Sequence, residues 1–423
     1  MVQDGARQRY MDPLALHMGG ILDRAFIDWF VRKGSIESAI AAVVGMFRPQ
    51  LGRRMAERSC PELQGAHIIS NPWLALRVAR HRNRFPREED FFIWAAEQQA
   101  RWIKREGFGS ANVLRGYVRC STPEFFQFAR SQGLRTAADQ MIAPLEVEVG
   151  EMRGQVLRWP GWSDGELTEF HPAYHEMEVQ SWEALDRITV MSDYVRQGLE
   201  SLGVPRERIT VIPYPWIKSA GDPPQRGVPT GPLTVGFTGV VGLRKGAPWF
   251  LEVARRFDPA RVRFVMVGSV RLNPDKRQLL ADRVELVGNV TRGEALQWLK
   301  RFDLFLFPTT CEGSAGSVQE AMAFGMPVIT TPNSGSKVRD GIDGFIHRYD
   351  DVEGFVQSIR RLDDDRELLY RMGQSARQRV LSYDLAAYRD DLVRFFRDLV
   401  NSPGPDSARQ STASASPTPS LRR

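Results

Sequence analysis

Two glutamates with seven residues between them, Glu312 and Glu320, flank a small-residue turn in TTCEGSAGSVQEAMAFG. A carboxylate accepts hydrogen bonds from two neighbouring hydroxyls, which suits a ribose diol or a sugar. Gly313 and Gly316 border the turn, and a helix is expected to start near Ser317. The free N–H groups and dipole of such a start favour a phosphate. A second stretch, GVVGLRKG, carries Gly239, Gly242 and Gly246, with Arg244 and Lys245 before the last. Its glycines allow tight turns and close backbone approach. Each stretch follows an apolar run that reads as a strand, DLFLFP and LTVGFT respectively. Ligands of open parallel sheets bind outside the carboxyl ends of the strands. Two phosphate-seeking loops on one sheet edge therefore suggest a diphosphate between them. Taken on spacing alone, the glutamates also read as a helix cap and a solvated side chain, the commoner case.

The elements that would position these residues alternate. In the C-terminal half, strands are expected at LTVGFTGV, RVRFVMVGSV, RVELVGNV, DLFLFPTT, MPVITTP and DGFIHRY. Helical spacing lies between them at APWFLEVARRF, DKRQLLADR, GEALQWLKRF and GSVQEAMAFG, with further helices over 352–362 and 365–381. This order predicts an α/β fold with a parallel sheet covered on both faces. The N-terminal half reads as the same alternation with larger helical insertions. Strands are expected at MVQ, FIDWFV, NVLRGYV, LRTAADQM, ALDRITVMS and RITVIPY, and helices at MDPLALHMGG, 36–59, 89–106, PEFFQFARSQG, 147–158 and YVRQGLESLG. The stretch PYPWIKSAGDPPQRGVPTGP has no periodicity and suits a linker. The reading is a first domain over 1–215, a linker over 216–232, a second domain over 233–382 and an amphipathic helix over 383–400. A Ser-, Pro- and Ala-rich tail over 401–423 is expected to be disordered.

Length and composition narrow the classes. At roughly 100–200 residues per domain, 423 residues favour two domains. No apolar run approaches the ~18 residues of a membrane span, and MVQDGARQ lacks the pattern of a secretory leader. A cytoplasmic protein is expected. Cys60, Cys120 and Cys311 are too sparse for a disulfide framework or a metal knuckle. His171 and His175 are four apart, but Pro172 lies between them, which argues against a zinc pair. Of 57 basic residues only 7 are lysine, and the net charge is +6. Arginine favours bidentate phosphate contact. No nucleic-acid motif accompanies the charge, and no nucleic-acid partner is expected. The segment 21–58 mixes Trp29, Phe30 and Phe47 with several arginines. It reads either as a peripheral membrane contact or as a core-packing helix.

The run FPTTCEGSAGSVQEAMAFGMPVITT, followed by SGSKVRDGIDGFI, resembles glycosyltransferase family 4, the retaining group 1 glycosyl transferases. Their signature is a Glu, seven residues, then Glu-Ala-Met-Ala-x-Gly-x-Pro-Val, matched here from Glu312 to Val328. GVVGLRKG resembles the family's glycine-and-lysine loop. The likeness covers residues 186–399, and before them only the α/β order and the loop DGARQR are suggestive. It implies the GT-B architecture: two facing Rossmann-like domains with parallel sheets and an interdomain cleft. It implies sugar transfer from a nucleotide-diphosphate donor, UDP or GDP undecided, to a saccharide or lipid-linked acceptor. Cell-surface polysaccharide or glycoconjugate synthesis in a bacterium would be the setting.

Residue by residue, Glu320 resembles the group that holds the donor ribose and Glu312 the one that contacts the transferred sugar. Lys245 resembles the lysine that neutralises the diphosphate. The family's companion arginine, five residues earlier, is Val240 here, and the adjacent Arg244 is the substitute cation. Gly239 and the backbone of Gly316 and Ser317 would complete the phosphate cradle, while Gly268 and Asn289 would border the base. From the first domain, Gly5, with Arg7 and Arg9 beside it, would face the donor phosphates, or else form a surface turn with solvated arginines. His17 and His67 are the histidines available near the donor sugar, neither in a diagnostic context. The resemblance implies no metal and no cofactor beyond the nucleotide sugar as co-substrate. The helix over 383–400 would cross back onto the first domain. Competing readings are a GT-B nucleotide-sugar epimerase and a degenerate GT-B scaffold that binds the nucleotide sugar without turnover.

Overall fold

A computed structural model of the chain describes residues 1–163, 165, 168–216, 223 and 226–402. Residues 403–423 of the expected tail lie outside the described residues, as do 217–222 and 224–225 of the expected linker. Where the chain leaves that stretch, Arg226 donates from Nε to the Phe324 carbonyl at 2.6 Å and from a terminal nitrogen to the Leu299 carbonyl at 2.7 Å. A single guanidinium thus holds two carbonyls that helix ends would leave unpaired.

The first domain is built on β1 (Val2–Gln3), β2 (Ala25–Ile27), β3 (Ile68–Ser70), β4 (Val113–Tyr117), β5 (Arg135–Gln140), β6 (Arg187–Val190) and β7 (Ile209–Val211). All pairings are parallel, in the orders β1-β2-β3 and β4-β5-β6-β7, and β1 lies against β4. The second sheet contains β8 (Leu233–Thr238), β9 (Val262–Val267), β10 (Glu285–Gly288), β11 (Leu304–Phe307), β12 (Val328–Thr330) and β13 (Gly344–Ile346). Its order is β10-β9-β8-β11-β12-β13, again all parallel. Strand growth reverses direction at β8/β11 within the second-domain sheet and at β1/β4, where the two sheets of the first domain abut. Those reversals are the crevices where doubly wound sheets bind ligands. Phe264–Val267 and Leu304–Phe307 are buried along their whole length, which explains their unbroken apolar runs.

Helices of the first domain are α1 (Met11–Met18), α2 (Ile36–Phe47), α3 (Pro49–Ala56), α4 (Pro72–His81), α5 (Glu88–Glu106), α6 (Pro123–Ser131), α7 (Leu145–Arg158), α8 (Pro172–Ala184) and α9 (Asp193–Ser201). The sequence pattern missed β3, α4 and α8. His171, weighed above as a metal ligand, instead caps α8 by accepting from the Tyr174 N–H, while its Nε2 lies 2.9 Å from Asp90. The segment 21–58 divides between its two readings. Trp29 and Phe30 are 2% and 1% exposed and belong to the interior, whereas Phe47 is 80% exposed.

Around the second sheet lie α10 (Ala247–Ala254), α11 (Pro274–Ala281), α12 (Arg292–Leu299), α13 (Gly316–Ala323), α14 (Val352–Asp364) and α15 (Arg366–Leu381). The last helix, α16 (Leu385–Asn401), starts on an Asp384 cap that accepts from the Ala387 N–H at 2.9 Å. Its buried Tyr388, Leu392, Phe395, Phe396 and Leu399 fall at helical spacing and pack on α1 and the first-domain core.

A buried polar network joins α16 to the first sheet. Arg115 donates from Nε to Asp12 Oδ2 at 2.7 Å, and a second guanidinium nitrogen reaches the same oxygen at 2.6 Å. The Tyr388 hydroxyl donates to the other Asp12 oxygen. Arg115 also donates to Thr189 Oγ1 at 3.1 Å, and Thr189 donates to Asp139 Oδ1 at 2.8 Å. Burial pushes the Asp139 carboxyl up to about 7, against the pull of Arg115. The native state then holds a proton that the unfolded chain, with an ordinary Asp at about 3.9, has released. Stability from this group is greatest below pH 4 and declines as pH rises towards 7. Relative to Asp139→Asn, the wild type should lose up to about 1.4 kcal/mol per pH unit between about pH 4 and 7, with a constant gap above. Denaturant unfolding of both proteins at stepped pH checks this; a gap independent of pH refutes it.

Candidate functional site

The site forms where the loops after β8 and β11 meet, at the reversal point of the second sheet. The β8 loop runs from Gly239 to Gly246, which sits at φ 77°. A Cβ on Gly246 would fall 2.0 Å from the Pro308 carbonyl oxygen, so only glycine lets this loop close against the end of β11. That approach brings Arg244 and Lys245 onto the β11 loop. Lys245 Nζ donates to Glu312 Oε1 at 2.6 Å, and Arg244 donates to the same oxygen at 3.1 Å and to the Cys311 carbonyl at 2.7 Å. Lys245 also lies 5.0 Å from the centre of the Phe307 ring. Arg244 therefore stands beside Lys245 on one carboxylate, although position 240 carries valine.

One turn into α13, Glu320 accepts from Arg292, at the start of α12. Helix α13 has no side-chain cap, and Gly316 and Ser317 open its first turn. The pattern Val318, Ala321, Met322 buries one face of the helix and leaves Glu320 partly open. Of the expected base-side residues, Gly268 packs its Cα against the Gly239 carbonyl and donates its N–H to Gly288 O at 2.9 Å, and Asn289 is exposed beyond β10.

A cavity of about 360 Å³ separates this edge from the first domain. Arg9, Trp216, Arg292, Ser314, Gly316 and Glu320 line it; neither His17 nor His67 does. The first-domain loop differs from its expected arrangement. The Gly5 N–H donates to Asp28 Oδ1 at 2.6 Å and is thereby committed within its own domain rather than to a phosphate across the cleft. Arg7 turns inward, donating to Cys120 Sγ at 3.1 Å and Met141 Sδ at 3.4 Å, with its guanidinium 5.7 Å from the Tyr117 ring centre. It is neither a solvated surface arginine nor a cleft residue. Arg9 is the arginine that reaches the cavity. Gln8, Arg9 and Tyr10 hold φ of 45°, 52° and 62°, a left-handed run that costs non-glycine residues energy and concentrates at functional sites. Burial and the nearby Arg292 push the Arg9 guanidinium down, and Glu320 pulls it up.

Arg9 had been placed beside the Gly5 loop by sequence reasoning, whereas Trp216 and Arg292 were missed. Arg292 had a usable signal, since it follows the carboxyl end of β10 on the same sheet edge. A cavity of about 500 Å³ lies elsewhere, between α16 and the start of β4, and contains none of the paired carboxylates above.

The arrangement can neutralise a diphosphate and accept hydroxyl hydrogen bonds on two carboxylates. Residues 232–365 match the family model of glycosyl transferases group 1. Sulfoquinovosyl transferase SQD2 of Arabidopsis thaliana is 28% identical over 167 residues, 38% of this chain and 32% of that protein. An Escherichia coli UDP-Gal:alpha-D-GlcNAc-diphosphoundecaprenol alpha-1,3-galactosyltransferase is 27% identical over 146 residues, 32% of this chain and 37% of that one. The chain thus spans about a third of the length of these curated relatives. Sucrose-phosphate synthase from Thermosynechococcus elongatus superposes with a TM-score of 0.62 at 16% identity, covering 94% of this chain and 95% of that one. Residues 232–365 are thus similar to the glycosyl transferases group 1, and they are carried on a GT-B fold of two Rossmann-like domains.

Proposed function

We propose that this chain transfers a sugar from a nucleoside-diphosphate donor to a saccharide or lipid-linked acceptor in polysaccharide or glycoconjugate synthesis. The observation that carries the reading is the double pairing at one sheet edge: Glu312 with Lys245 and Arg244, and Glu320 with Arg292. A diphosphate displaces Glu312 from its cations, and the freed carboxylate then accepts from a hydroxyl of the transferred sugar. A ribose diol displaces Arg292 from Glu320 in the same way. One relative's name carries a UDP-sugar donor and a diphosphoundecaprenol acceptor, which supports this substrate class.

Transfer breaks the bond between the anomeric carbon and the leaving phosphate oxygen. Charge builds on that phosphate, where Lys245, Arg244 and the uncapped start of α13 stabilise it electrostatically. The acceptor oxygen attacks from the same face and its proton passes to the leaving phosphate, which gives retention without a protein nucleophile. Fixed cations supply the charge compensation, so the step requires no metal. Thermal shift against UDP, GDP and ADP sugars tests the donor site. A ligand at ~100 times its Kd adds about 2.7 kcal/mol, a few degrees in a chain of this size. One nucleotide class should shift the wild type and not Glu320→Ala; no shift with any class overturns the reading.

The acceptor partner fits a cytoplasmic enzyme that touches the inner face of a membrane. No described helix is long and apolar enough to cross a bilayer. The α2–α3 hairpin instead presents Val43, Met46 and Phe47 at 51%, 72% and 80% exposure, next to Arg48, Arg53 and Arg54. Apolar tips beside arginines suit an anionic lipid surface. The protein should co-sediment with vesicles containing phosphatidylglycerol, and Met46→Asp/Phe47→Asp should lower the bound fraction about tenfold or more. Equal sedimentation with and without anionic lipid rejects this contact.

A further inference from the structure

Helix α7 follows the first-domain strand β5 and bridges the domains: Leu145 and Val149 pack with Tyr174 and Met177 of α8, while its later turns face the second domain. Met152 and Trp162 are buried in the core of the second sheet. Trp249 of α10 donates from its indole nitrogen to Gln155 Oε1 at 2.8 Å, and the Trp159 ring meets Trp249 edge-on at 4.9 Å. The next contact along α7 reaches the β12–β13 connection, where Asn333 Nδ2 donates to Glu151 Oε1 at 3.3 Å. The same amide nitrogen donates to the Thr310 carbonyl at 2.8 Å, and the Asn333 carbonyl accepts the N–H of Glu312 at 3.0 Å. Tyr349 also hydrogen-bonds Glu151, so the carboxylate has a fixed orientation. On the other flank of Glu312, Ser192 Oγ donates to the Gly313 carbonyl at 2.6 Å. A Cβ on Gly313 would fall 1.8 Å from the Met141 carbonyl oxygen.

We propose that Glu151 is a positioning residue for Glu312: it fixes Asn333 from the first domain, and Asn333 fixes the loop that carries the sugar-contacting carboxylate. The inference rests on the reading of Glu312 given above. It assigns α7 a task in the chemistry, because Glu312 is then in place only while the first domain is docked. Hydrogen bonds of this kind set the geometry of a neighbouring reactive group more than its affinity for a ligand.

Hydrogen exchange of the full chain tests the positioning without any substrate. Glu151→Ala and Asn333→Ala should each speed exchange of the Glu312 amide about tenfold, the equivalent of one hydrogen bond, while the second-sheet amides keep their protection. Glu151→Gln retains an acceptor oxygen and should exchange like the wild type. With the donor identified in the nucleotide-sugar panel, Glu151→Ala should lower kcat about tenfold or more with KM for donor changed less than about threefold. Glu151→Gln should restore kcat, and Glu151→Ala/Asn333→Ala should be no worse than either single variant. Unchanged exchange at Glu312 in Glu151→Ala overturns the positioning role. Full turnover by Glu312→Gln, in contrast, removes the reading of Glu312 on which the role depends.

Discussion

A carboxylate drawn into a cleft between two domains loses water and must find a cation or hydroxyls to replace it. Both glutamates of the donor edge obey this constraint. Glu312 is 13% exposed and shares Lys245 and Arg244, while Glu320 is 18% exposed and takes Arg292. Each carboxylate is therefore already paired, and the cations outnumber the carboxylates. Under the proposed function, ligand binding is an exchange of partners rather than the filling of an unpaired charge: phosphate would replace one carboxylate on the cations, and hydroxyls would replace the cations on the carboxylates. The glycines follow from the same requirement. Gly246 lets the cationic loop approach β11 closely enough for Lys245 to reach Glu312 at 2.6 Å.

That exchange needs walls that do not drift. The second sheet supplies one, since its central strands, Leu304–Phe307 among them, are buried and leave the loops at their carboxyl ends little freedom. The other wall comes from α7, whose apolar side is shared with the second-domain core. Interfaces between domains in one chain are commonly polar and permissive of motion. Here three tryptophans, Trp159, Trp162 and Trp249, meet at the junction in edge-on contacts. Such packing favours a small number of docked arrangements over a continuous swing.

The second domain was legible in the sequence because each of its signals had a local cause. Continuous apolar runs marked doubly covered strands, and glycine-bounded turns marked their ends. The first domain was harder for physical reasons. Its strands β1, β2 and β3 have two or three residues, too few for any period to show. Helix α8 opens with His171 as its cap and Pro172 in its first turn, a start signal that was obscured by asking about metal spacing. Trp29 and Phe30 lie beside arginines in sequence yet face the interior, because the short β2 carries them inward. In the site, residue type and spacing singled out the glutamates, Lys245 and Arg244 as candidates, and the resemblance to glycosyltransferases gave them roles. Arg292 and Glu151 were not singled out, since their partners lie 28 or more residues away and on other elements. Arg7 and Gly5 show the reverse failure. Their loop was located correctly, but which side chain enters the cleft depends on a left-handed backbone run that composition does not announce.

Helix α16 has a consequence for how the chain is made. The first domain is translated before the second sheet, but Tyr388, Leu392 and Phe396, which cover α1, are translated after it. Until then Asp12 and Arg115 share a pocket with one wall missing, and the apolar face of α1 stays open. The nascent first domain must wait, incompletely closed, through synthesis of the whole second sheet. Exchanging first domains between relatives therefore means moving two separate stretches of gene, the part that encodes the first domain and the part that encodes α16.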